Sequence, residues 1–87
     1  MNLYEVLESK TKNNKLAKEL VDELKKYDDD IEFLLGVMLD VDNDEDKRAL
    51  LDYIKYNDDV DYEQILLNSL YLSQQREKSN NEMSING

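Results

Sequence analysis

The chain has no cysteine, no histidine, no tryptophan and no proline, and only two glycines in 87 residues. Each absence removes a class of structure or chemistry. Without cysteine there is no disulfide, and without cysteine or histidine there is no Cys/His zinc site. The same absences remove a thiol nucleophile and any Ser-His-Asp arrangement. No glycine-rich loop is present to cradle a phosphate. Scarce glycine and absent proline leave little β-turn chemistry, and no stretch alternates at period two for long enough to make a strand. Paired carboxylates could in principle act on glycosides, but that needs a cleft, which five small helices are not expected to enclose. The chain is read as not an enzyme.

The longest uncharged apolar run, Phe33 to Leu39, is far short of the roughly 20 residues a membrane helix needs. The opening residues, MNLYEVLESK, carry acids where a signal peptide needs an apolar stretch. Lack of cysteine fits a reducing compartment. A cytoplasmic protein without a membrane partner is the expectation.

What is present in excess is acid: 21 Asp and Glu against 11 Lys and Arg, a net charge of −10. The excess is local. Residues 1–27 have a net charge of +1, residues 28–63 of −11, and residues 64–87 of zero. Such a surface repels nucleic-acid backbones and anionic membranes, and attracts basic partners. Direct nucleic-acid binding is therefore not expected.

The chain is organised around Asp28 to Asp46, DDDIEFLLGVMLDVDNDED, an apolar segment between two acidic clusters. At helical spacing only Glu32, Gly36 and Asp40 lack a large apolar side chain, which predicts a helix buried nearly all round. Leu3, Val6 and Leu7 predict a short amphipathic helix over 3–10. Asn14 is placed to cap a second helix running to Tyr27, with Leu16, Leu20, Leu24 and Tyr27 as its stripe. Asp30 is the expected N-cap of the central helix. Asn43 or Asp42 caps a fourth, running to Tyr56, with Leu50, Leu51 and Ile54 facing inward. Asp61 and Gln64 have the spacing of a capping box, opening a last helix to Glu77 that buries Ile65, Leu66 and Leu70. Residues 78–87, KSNNEMSING, have no apolar period and read as a disordered tail. The expected fold is all-α: a small bundle of four helices plus a short N-terminal helix, in one domain over 1–77.

Three constellations carry candidate function. Asp40, Asp42 and Asp44 alternate as oxygen ligands do in a calcium loop. Glu45 stands where an EF-hand needs glycine and Leu51 where it needs a bidentate glutamate, so an EF-hand is rejected. A weak calcium site remains as one reading, and a solvated capping loop as the plainer one; no other cofactor is expected. Second, Asp52, Tyr53, Tyr56, Asp58, Asp59, Asp61 and Tyr62 mix carboxylates with aromatic faces, a combination suited to arginine or lysine. Tyrosines at core edges look alike in sequence. Third, Leu67 and Tyr71 lie opposite the main stripe of the last helix, and would serve self-association if left uncovered.

The leading reading is a binding module whose acidic face, built from Asp28, Asp29, Asp30, Asp42, Asp44, Glu45 and the second constellation, docks on a basic protein surface. In its specific form the carboxylates mimic a phosphate backbone and block a nucleic-acid-binding protein. The alternative is a structural or oligomerising helical domain, a homo-oligomer joined through Leu67 and Tyr71, whose acids only keep it soluble.

Overall fold

The computed structural model describes the backbone of residues 2–86 and the side chains of residues 2–75. Five helices follow one another: α1 (Leu3–Thr11), α2 (Lys15–Lys25), α3 (Ile31–Asp40), α4 (Asp44–Tyr56) and α5 (Tyr62–Asn86). There is no strand among the described residues, and the fold is the all-α bundle that the apolar spacing predicts. No helix among them is long and apolar enough to cross a membrane. The described backbone of α5 runs to Asn86, past the end at Glu77 expected from the sequence and into the stretch 78–87 read as a tail, of which Gly87 lies outside the described residues.

Local sequence sets the helix starts. The Asn2 side chain accepts from Glu5 N at 2.9 Å, that of Asn14 from Ala17 N at 3.0 Å, and that of Asn43 from Asp46 N at 2.8 Å. Asp61 and Gln64 form a reciprocal capping box, each side chain accepting from the other's backbone N–H at 2.9 Å. Each satisfies donors that the first turn of a helix otherwise leaves open, so Asp61→Ala is expected to lower stability by about 1 kcal/mol in urea denaturation. The start of α3 differs from expectation. Asp30 occupies its N-cap position but makes no side-chain cap bond. Instead Asp28 Oδ1 accepts from Asp30 N at 2.9 Å, an Asx-type turn that holds the link from α2.

α1, α3 and α5 pack side by side, and α2 and α4 pack on each other against them. α3 is central, supplying Phe33, Leu34, Leu35, Val37 and Met38 to a core completed by Leu20 and Leu24 of α2, Leu50, Leu51 and Ile54 of α4, and Ile65 of α5. Two contacts fix the direction of α5 relative to α3. The Phe33 and Tyr62 rings lie 4.7 Å apart between centroids, near the start of each helix. Seven residues later in each, Ser69 Oγ approaches Asp40 Oδ2 at 3.2 Å. The two helices therefore run the same way.

Three expectations about the core need correction, two because of angle round the helix and one because the helix ends early. Leu39 is exposed: at about 100° per residue it falls on the same side of α3 as Glu32 and Gly36. Leu70 is 46% exposed, while the buried line of α5 runs through Ile65 and Ser69, one turn apart. Ser69 is tolerated there because its hydroxyl also reaches the Leu66 carbonyl at 2.9 Å, leaving no unpaired polar atom. Tyr27 lies beyond the end of α2 and is exposed, and Ala17 and Val21 pack inward beside Leu20 and Leu24.

Gly36 sits on the exposed side of α3, and a Cβ built there meets nothing within 4 Å. Gly36→Ala is therefore expected to stabilise the chain by about 0.5–1 kcal/mol, read as a rise in melting temperature of several degrees.

Lys55 Nζ donates to Glu19 Oε1 at 2.9 Å and ties α4 to α2. That hydrogen bond, with the Coulomb attraction behind it, holds Glu19 below its ordinary carboxylate value and raises Lys55. Glu19 thus contributes stability above its unfolded value of about 4.5, lost as pH falls through the lowered folded value. Lys55 contributes below about 10.5, lost as pH rises through its raised folded value. Because the pair is exposed, Glu19→Gln is expected to lower the melting temperature only slightly at neutral pH. The difference from wild type should close in about 1 M salt, and again at about pH 2.

Candidate functional site

The candidate carboxylates do not gather on one face. Asp28 to Asp30 precede the first residue of α3, and Asp40 is its last. Ten helical residues separate them by about 15 Å. Because α5 runs alongside α3 from Tyr62 at Phe33 to Ser69 at Asp40, the turn before Tyr62 lies at the Asp28–Asp30 end. Asp58, Asp59 and Asp61 therefore share an end with Asp28, Asp29 and Asp30. Asp42, Asp44 and Glu45 are at the other.

The two ends differ chemically. At the 40–46 end the acids are built into local structure. Asp40 meets Ser69, and Asp46 is buried with its Oδ2 accepting from Asn43 Nδ2 at 3.1 Å. Asp42 has Lys10 Nζ 4.0 Å from its Oδ1, and its backbone carbonyl accepts from the Nζ of buried Lys47 at 2.9 Å. Asp44 and Glu45 stand exposed in the first turn of α4, where negative charge is favoured by the helix dipole. Among the described residues no three carboxylates are placed to hold a metal ion. The side chains of Asp40, Asp42 and Asp44 face different environments: the first meets Ser69, the second lies near Lys10 and the third is exposed in the first turn of α4.

At the opposite end Asp29, Asp58 and Asp59 are exposed, and among the described residues none forms an ion pair. Of the lysines near this end, Lys26 pairs with Glu23 at 3.0 Å and Lys55 with Glu19 at 2.9 Å, while Lys25, the last residue of α2, is exposed and among the described residues forms no ion pair. Asp28 and Asp61 spend one oxygen each on the backbone, at Asp30 and Gln64. Asp29, Asp58 and Asp59 thus stand exposed without an ion pair here, as Asp44 and Glu45 do at the other end.

Beside these acids runs an open groove between α4 and α5. It consists of two adjoining hollows that share Tyr53 and Gln64. One, of about 270 Å³, is bordered by Tyr56, Asp58 and Asp59. The other, of about 250 Å³, is bordered by Leu67, Asn68 and Tyr71. Tyr56 is 81% exposed, Leu67 66% and Tyr71 57%. Tyr53 is half-buried and packs against the core, so it forms the fixed floor rather than the free surface that its position on the helical wheel suggests. Asp52 is exposed one turn before Tyr56, on the same side of α4.

Comparison with protein-family models, with curated proteins and with solved structures gives no match. The surface must be read from its own chemistry.

Two of the three constellations thus form one surface. The acid–tyrosine set and the Leu67–Tyr71 pair meet through Tyr53 and Gln64, a junction without a local sequence signal because it needs α4 and α5 side by side. The neutralising contacts at the other end depend likewise on Lys10 reaching across from α1. Lys47, five residues after Asp42 at the start of a helix, reaches the Asp42 backbone carbonyl and not its carboxylate.

Proposed function

We propose that the chain is a non-enzymatic binding module that docks on a basic protein surface through the end carrying Asp28–Asp30, Asp58 and Asp59. The observation that carries this reading is the pairing of two exposed, uncompensated carboxylates, Asp58 and Asp59, with the exposed ring of Tyr56 at the mouth of the α4–α5 groove. Carboxylates beside an aromatic face attract a lysine or arginine both as an ion pair and through the ring. The phosphate-mimicking form draws on the same end only, since the acids at 40–46 are partly neutralised and roughly 15 Å away. Freedom from cysteine fits a cytoplasmic setting for such an encounter.

The oligomerising alternative has its own support in the exposure of Leu67 and Tyr71. Against it stands the net charge of −10, which two copies would have to bring together.

The discriminating experiment immobilises the full chain, passes the source organism's lysate over it, and elutes in salt steps. The docking reading expects a basic protein that leaves at moderate salt. Release of that protein by added DNA supports the mimicking form. Retention of nothing, or of proteins indifferent to salt, together with a concentration-dependent dimer in light scattering, favours the oligomerising domain instead.

A further inference from the structure

We infer that the partner presents an amphipathic basic helix, which lies along the α4–α5 groove with its cationic end over Tyr56, Asp58 and Asp59 and its apolar anchors on Leu67 and Tyr71. This rests on the docking reading and gives the partner a shape and a direction.

The groove changes chemistry along its length. Leu67 and Tyr71 are one helical turn apart on α5, so they offer two apolar contacts at the spacing of an opposing i, i+3 or i, i+4 pair. Gln64 lies between them and the acidic end, and Asn68 falls between Leu67 and Tyr71 along α5, both with amide groups able to donate and accept. Tyr56, Asp58 and Asp59 close the groove with an exposed ring and two carboxylates. On α5 the groove residues Gln64 to Tyr71 span about 10 Å, roughly two turns of a docked helix.

Other occupants fit less well. An extended peptide adds to a sheet edge, and no strand exists among the described residues to receive one. A second copy would bring the same acidic end and the same excess of 21 acids over 11 bases. An anionic membrane is repelled by that charge. A helix with lysine or arginine at one end complements the groove in both charge and apolar pattern.

The test is selection of a displayed random library of peptides, each about 16 residues long, against the full chain. The selected peptides are then measured on the wild type, on Leu67→Asp/Tyr71→Asp and on Asp58→Asn/Asp59→Asn. All four positions are exposed, and unchanged circular dichroism confirms that each variant folds. Expected are sequences with apolar residues three or four apart and lysine or arginine at one end. They should gain helicity on binding and lose about tenfold or more in affinity on each variant. Peptides that lose affinity only on Asp58→Asn/Asp59→Asn overturn the helix-in-groove inference and leave acidic docking standing. Peptides without basic residues, or bound equally by all three proteins, overturn both. An empty selection overturns the inference, as does wild type that dimerises through Leu67 and Tyr71 and releases no surface to peptide.

Discussion

Met38→Ala is expected to destabilise the chain by about 2–5 kcal/mol, whereas Leu39→Ala, one residue on, should change it by less than about 0.5 kcal/mol. The two side chains belong to the same apolar stretch of α3 and have similar hydrophobicity. Met38 is 1% exposed and sits in the core, while Leu39 is 57% exposed. Removing Met38 leaves a cavity that its neighbours fill only in part, so lost contact adds to lost burial. A chain of this length has a total stability on the order of 5–12 kcal/mol, so the loss is a large share of it. In thermal melts followed by circular dichroism it corresponds to a fall of roughly 10–25 °C for Met38→Ala. Equal effects at the two positions would mean that α3 is rotated from the orientation described, or that a partner covers Leu39.

That contrast also shows what was legible in the sequence. Caps at Asn14, Asn43 and Asp61 could be read because each bond closes within three residues of the chain. The helices between them followed from apolar spacing. Residue type was a poorer guide than angle to which side chains are buried. Leu39 and Leu70 are apolar but turned outward, and Ser69 is polar but turned inward with partners on two helices. The exposed Tyr56 was legible from the wheel, whereas the exposure of Leu67 and Tyr71 was not, because it depends on whether another helix covers that side of α5. Their union in one groove was not, because it depends on α4 lying against α5. Nor was the separation of the acids between two ends, one of them partly neutralised where α1 delivers Lys10.

The second large effect concerns that division. Asp58→Asn/Asp59→Asn and Asp42→Asn/Asp44→Asn remove the same formal charge, so long-range attraction to a basic partner changes equally. Only the first pair removes carboxylates that line the groove. For a partner captured from lysate, affinity is expected to fall roughly tenfold with the first variant, as befits two exposed ion pairs, and by less than about twofold with the second. The slope of affinity against salt should flatten with it. Equal losses would assign the attraction to net charge alone, with no site.

The measurement that tests the central claim most directly is a two-dimensional amide spectrum of the isotope-labelled full chain, titrated with an oligoarginine peptide at low salt. It needs no knowledge of the natural partner. The account predicts that shifts concentrate at Asp28–Asp30 and Tyr53–Asp61, with little change at Asp40–Asp46, and that they reverse when salt is added. Shifts as large at Asp40–Asp46, or spread evenly over every acidic residue, would contradict it: the chain would then carry a diffuse charge and no docking end.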